Sequence, residues 1–142
     1  MRALLDINVL IALLDADHIH HGRARDWLSS NIAAGWASCP LTQNGYVRVV
    51  SQPAYPKPLS PAAAIGLLRE ACATRHHAFW PDDASILDEA RIDASRIHGP
   101  RQLTDVYLLA LAQAHGGRFV TFDAGVPLGA LRRAAGKHLV QL

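Results

Sequence analysis

Apolar and polar positions fall along this chain in blocks, and the period within each block names an element. Arg2 to Leu5 is short, apolar and closed by the polar Asp6, as in a strand buried within a parallel sheet. Asn8 is placed to cap a helix that starts at Val9. From Gly22 to about Ala34, Ala24, Trp27, Leu28 and Ile32 share one helical face, and Gly35 stops that helix. Trp36 to Cys39 predicts a second strand, ended by Pro40. Thr42 then caps a helix carrying Tyr46, Val47, Val49 and Val50. Ser51 to Ser60 holds Pro53, Pro56 and Pro58 and predicts a loop. Ser60-Pro61 opens a helix to about Thr74. His76 to Trp80 predicts the third strand, followed by a helix from Asp82 or Asp83 to about His98. Thr104 caps an apolar helix with Asp105 in its first turn, and Gly116-Gly117 closes it. Arg118 to Thr121 is the fourth strand, Leu128 to Ala135 a short helix, and His138 to Leu142 the last strand.

Strand and helix in alternation predict an α/β fold: a parallel sheet with helices on both faces. Right-handed crossovers bring every strand-to-helix turn to one sheet edge, where ligands bind in open α/β sheets. Asp6 ends strand one, Asp123 follows strand four, and Asp105 begins the helix feeding strand four. If strands one and four are neighbours, the three carboxylates converge. Each alone has an ordinary reading: a strand-end cap, a first-turn acid favoured by the helix dipole, a turn former. Together, without a cation, they repel, and some take up protons. A hard divalent cation removes that conflict. Mg²⁺ takes one or two carboxylates and accepts phosphate oxygens, and Mn²⁺ uses the same ligands. Such an ion activates water and neutralises charge on a phosphodiester. Asn8 and Thr121 are placed to orient the acids or the water. Gln43 and Asn44 fall at the carboxyl end of strand two, as ordinary helix-start residues or as site residues.

With 142 residues, the chain predicts one domain, 1–142, with a real core. Half its residues are apolar and 18% are charged, which excludes a disordered chain. A net charge of +2 is only mildly basic. Of its 14 basic residues only Lys57 and Lys137 are lysines. Arginine suits bidentate phosphate contacts, although an alanine-rich, lysine-poor composition explains the bias as well. Arg48, Arg101 and Arg118 are candidate phosphate contacts or plain surface charges. Cys39 and Cys72 form no C-x-x-C pair and fit a reducing compartment. Asp6 interrupts the N-terminal apolar run, so neither a signal peptide nor a membrane span is predicted, and the expected location is the cytoplasm. His18, His20 and His21 lack the fuller ligand set at characteristic spacing of a usual zinc site and predict a solvated corner, with one His capping a backbone group.

Three segments now combine. Leu5-Asp6-Ile7-Asn8-Val9-Leu10-Ile11, then Leu103-Thr104-Asp105 through Ala112, then Val120-Thr121-Phe122-Asp123, resemble the PIN domain in order and spacing. More closely they resemble the VapC toxins of bacterial VapBC toxin–antitoxin pairs. Asp17-His18-Ile19-His20-His21 before the helix with Trp27, and Pro40 through Val49, are similar to a VapC branch. The resemblance implies a three-layer fold with a parallel five-stranded sheet of order 3-2-1-4-5. It implies a Mg²⁺- or Mn²⁺-dependent endoribonuclease that cuts RNA and inhibits translation. It also implies a homodimer and a cognate VapB-type antitoxin. Asp6, Asp105 and Asp123 match the family's metal-binding acids; Asn8 and Thr121 match its polar helpers. Many PIN domains also carry a glutamate three residues after a threonine, at the start of the helix after strand two. Counted from Thr42, that position is Gly45 here. Asn44 is the neutral substitute close by, and the expectation is a weak second metal. A haloacid-dehalogenase-type phosphotransferase also starts from an aspartate at a strand end. It needs a second aspartate two residues on, where this chain has Asn8, which cannot act as general acid or base. A catalytically weak or silent PIN domain that only binds a partner is the remaining alternative.

Overall fold

The computed structural model describes residues 1–142. Its five strands are β1 (Ala3–Leu5), β2 (Trp36–Ser38), β3 (His77–Phe79), β4 (Arg118–Thr121) and β5 (Leu139–Gln141). They form one parallel sheet of order β3-β2-β1-β4-β5. The helices are α1 (Ile7–Leu14), α2 (His21–Asn31), α3 (Pro40–Val50), α4 (Pro61–Cys72) and α5 (Leu103–Ala114).

Every residue of β1 and β2 is buried; β1 is apolar throughout, and the one polar residue of β2, Ser38, bonds His77 and Gln43. Side-chain alternation divides them between two cores. Leu4 and Phe119 pack with Leu108, Leu109 and Leu111 of α5 on one face. Leu5 and Val120 pack with Val9 and Leu10 of α1, Tyr46 of α3 and Leu68 of α4 on the other. Leu5 pairs with Val120 across β1 and β4, and the Asp6 amide donates to the Val120 carbonyl at 2.9 Å. That register carries Asp6 to the end of β4, where Thr121 stands.

Caps and one helix depart from the expectation. Asp6, not Asn8, caps α1: its backbone is extended and its Oδ1 accepts the Ile7 amide at 2.7 Å. Thr42 stands in the first turn of α3, where its Oγ1 accepts the Cys39 amide at 3.0 Å while Cys39 takes the cap position. Gln102 rather than Thr104 precedes α5, because a 3₁₀ turn at Pro100–Gln102 runs straight into it. The helix expected over 82–98 does not form. Ser85, Asp88 and Asp93 accept the amides of Leu87, Ala90 and Ser95 two residues on, and such local bonds compete with a helix ladder. Only a 3₁₀ turn at Ala94–Arg96 and an antiparallel bridge from Ile92 to Leu131 remain. The expected helix over 128–135 is likewise reduced to a 3₁₀ turn at Leu128–Ala130.

Gly117 shows how tightly β4 enters the sheet. A Cβ there would meet the Arg2 carbonyl and the Trp80 ring at 2.6 Å each. The carbonyl is backbone and cannot turn aside. Gly117→Ala is expected to cost about 2 kcal/mol by the overpacking rule, read as a lowered urea midpoint.

Candidate active site

At the carboxyl edge of β1 and β4, one hydroxyl joins two acids. Thr121 Oγ1 donates to Asp6 Oδ2 at 2.6 Å and accepts the Asp123 amide at 3.0 Å. Asp123 Oδ1 in turn accepts the Gly125 amide at 2.7 Å, so the loop after β4 closes on itself. Gln102 Nε2 donates to the Gly125 carbonyl at 3.3 Å and ties this loop to the approach to α5. Asp105 lies in the first turn of α5, where it is buried. Asp6 and Thr121 are buried as well, while Asp123 is exposed.

No ion pair of the chain involves Asp6, Asp105 or Asp123. The electrostatics follow. Burial pushes the Asp105 carboxyl up to about 7, aided by the charges of Asp6 and Asp123. The favourable helix dipole at that position is outweighed. Burial also raises Asp6, while the Thr121 hydroxyl and the Ile7 amide pull the other way.

These acids stand at an open edge. A cavity of about 580 Å³ lies elsewhere, between Leu14, Tyr46, Val50, Tyr55 and Leu59. No three acid, histidine or cysteine side chains close into a finished ligand set. Three hard oxygen donors without a protein cation suit an ion that keeps several waters, as Mg²⁺ does. Asp6, Asp105 and Asp123 are oxygen donors of the kind such an ion takes.

The other candidates divide. Asn8 is exposed in the first turn of α1, two residues from Asp6. Arg101 is exposed in the turn leading to α5, four residues before Asp105. Asn44 is exposed and lines a groove between α3 and α4 with Val47, Ile65, Leu68 and Arg69. Arg48 is exposed one turn further along α3. Neither Asn44 nor Arg48 is brought to the acids by any contact. Arg118 is a correction: it opens β4, at the end opposite Thr121. Its guanidinium lies over the Trp27 ring at 5.0 Å and donates to Asn31 at 2.9 Å. It fastens α2 to the sheet.

The acid missing at Gly45 also has a physical account. A Cβ at this position would overlap the side chain of Ile7, which fills the space. The histidine corner is used internally: His18 Nδ1 accepts the His20 amide at 3.0 Å, and the His21 ring bonds the Ala12 carbonyl at 2.7 Å.

The PIN domain model matches residues 3–134. The chain belongs to the PIN domain family. Among its relatives, ribonuclease VapC44 of Mycobacterium tuberculosis is 60% identical over 142 residues, all of both chains. Ribonuclease VapC38 of the same organism is 47% identical over 125 residues, 87% of this chain and 86% of the relative. This PIN domain therefore sits among VapC proteins, as its motifs suggest. Two solved structures share the fold at low identity. One is M. tuberculosis VapC20, a sarcin-ricin loop cleaving toxin: TM-score 0.59, 15% identity, 87% of this chain and 91% of that one. The other is VapBC2 from Rickettsia felis, bound to a DNA fragment from the promoter: TM-score 0.57, 14% identity, 87% and 89% covered.

Sequence reasoning does not find the bond from Gln43 Nε2 to Ser38 Oγ at 2.9 Å or the contact between His20 and Phe122. Both join residues that lack a shared motif, and no local signal announces them.

Proposed function

We propose that this PIN domain is the toxin of a type II toxin–antitoxin pair, an endoribonuclease that cuts RNA and inhibits translation. One observation carries the reading: the Thr121 hydroxyl holds the Asp6 carboxylate and the Asp123 backbone amide at one sheet edge, near the buried Asp105, and no ion pair of the chain involves these acids. A silent binding module has no use for such acids, two of which, Asp6 and Asp105, are buried with no protein cation beside them.

Asp6, Asp105 and Asp123 would hold Mg²⁺ or Mn²⁺. When bound, the ion supplies a polarised phosphate oxygen and a more acidic water. The chain does the rest. Thr121 fixes the Asp6 carboxylate and the start of the Asp123 turn at once. Asn8 offers a neutral amide at the open edge, and Arg101 a guanidinium for a flanking phosphate. Asp105, pushed up to about 7 by burial, takes up a proton near neutral pH when the cation is lost. Gly45 supplies no fourth acid, and Ile7 packs over it, which supports a one-metal resting site. Two ions bound at micromolar levels in a titration would overturn that point.

The VapC relatives and the VapBC2 fold neighbour support a VapB-type antitoxin as partner, with a homodimer as the expected toxin state. No helix is long and apolar enough to cross a membrane. Both cysteines are free, which supports a reducing compartment such as the cytoplasm.

The test is cleavage of total RNA by purified protein in Mg²⁺, Mn²⁺ or EDTA, beside Asp6→Ala. Discrete fragments that need metal and vanish in the variant are expected. Intact RNA with folded, antitoxin-free wild type would favour the binding-module alternative. Thr121→Val should reduce cleavage about 10–100-fold, the usual cost of losing a group that orients a metal ligand. An unchanged rate would show that the Thr121 bridge is structural only.

A further inference from the structure

The aromatic pair beside the acids has no part in the chemistry above. Phe122 lies between Thr121 and Asp123 in sequence, with its side chain on the sheet face opposite Thr121, against the α1 core. The His20 ring stacks on it, with centroids 4.8 Å apart and planes at 30°. His18 follows at 5.7 Å, tilted by 47°. His20 is fixed from several sides: it holds the N-cap position of α2, its amide donates to His18 Nδ1, and its carbonyl accepts the Ala24 amide. Its ring nitrogens bond no other protein group, and the ring is only half-buried. A preset, partly open ring is thus held on Phe122, the residue between Thr121 and Asp123.

Resting on the ribonuclease reading, we infer that His20, backed by Phe122, is a stacking platform for an unpaired base of the RNA substrate. The base belongs to a nucleotide adjoining the one whose phosphate meets Asp6, Asp105 and Asp123. Every nucleobase offers a π-face, and aromatic side chains bind single strands in this way. The free ring nitrogens can in addition meet a base edge. A strand crossing the carboxyl edge from the α5 side to the α2 side passes the acids and then the ring. Simple helix-start packing would need the ring but would be indifferent to the RNA.

The experiment uses the full chain and single-stranded RNA octamers with 2-aminopurine moved one position at a time, bound in EDTA. A fluorescence change confined to one position is expected. His20→Ala should abolish it and weaken binding about 10-fold. His20→Phe should restore it, and His20→Leu, which keeps bulk without a π-face, should not. In Mg²⁺, His20→Ala should raise KM about 10-fold with kcat within about 2-fold. If His20→Ala melts early, the Phe and Leu variants decide alone. Wild-type signal in His20→Leu, or no position-specific change in the wild type, overturns the inference while leaving RNA cleavage intact. Position-specific stacking without any metal-dependent cleavage would support the platform and count against the ribonuclease reading instead.

Discussion

Asp105→Asn is expected to abolish metal-dependent cleavage and to raise the melting temperature of the metal-free protein at pH 8. The two effects have one cause. Asp105 is buried, faces the charges of Asp6 and Asp123, and has no cationic partner. Its negative charge is useful only when a cation is bound. Asparagine keeps the shape and removes the charge. Loss of a group that merely orients a ligand costs about 10–100-fold, so loss of the ligand itself should cost at least about 100-fold in cleavage. Without metal, the same change relieves a buried like-charge cluster. Asp6→Asn should differ. Asp6 accepts bonds from Thr121 and Ile7, so its replacement disturbs those partners and should bring a smaller gain in melting temperature or a loss. RNA cleavage and calorimetry in EDTA check both variants. A melting temperature that falls for Asp105→Asn would mean that its charge is already balanced.

The architecture is legible in the sequence because its signals are local. β1 is apolar, β4 has Phe119 and Val120 at its centre, and polar residues, Asp6 and Thr121, stand at the sheet edge. The acids at those ends can therefore be read from residue order alone. Their mutual bond through Thr121 follows only from the Leu5–Val120 register, which no local pattern encodes. The departures are equally physical. Residues 82–98 carry helix-like spacing of Ile86, Ala90 and Ile97. Their serine and aspartate side chains satisfy nearby amides and end each turn. Asn8 and Thr104 look like caps, but the backbone turns helical before reaching them. Arg118 misleads because charge alone does not say which end of a strand faces the site. Asn44 stands at the helix start its sequence position indicates and lines the α3–α4 groove.

The metal-free protein should lose stability as pH rises from about 4 to about 7, and Mg²⁺ should restore it chiefly at the upper end. The sign follows from proton counting. Asp105 titrates near 4 in the unfolded chain and at about 7 in the fold. Between those values the folded state holds the extra proton, so unfolding becomes easier as protons are withdrawn. Asp6, raised by burial, acts in the same direction. Water reaches part of the site, so the Asp105 contribution is on the order of 2 kcal/mol, below the full linkage value. Asp15 and Asp93, both lowered, lose their contributions only in stronger acid, below this window. His77 opposes the trend: burial lowers it, so its contribution is present above its unfolded value near 6.5 and is lost in acid. A single melting curve would mix these effects, whereas the difference between wild type and Asp105→Asn removes His77. That difference should be near zero at pH 4 and grow to pH 7 in EDTA. Mg²⁺ at about 100 times its Kd should then add about 2.7 kcal/mol to the wild type at pH 8. At pH 5, protons occupy Asp105 and compete with the ion, so the gain should shrink. A difference that is flat with pH would show that Asp105 ionises freely and that its burial and the nearby charges of Asp6 and Asp123 do not hold its proton.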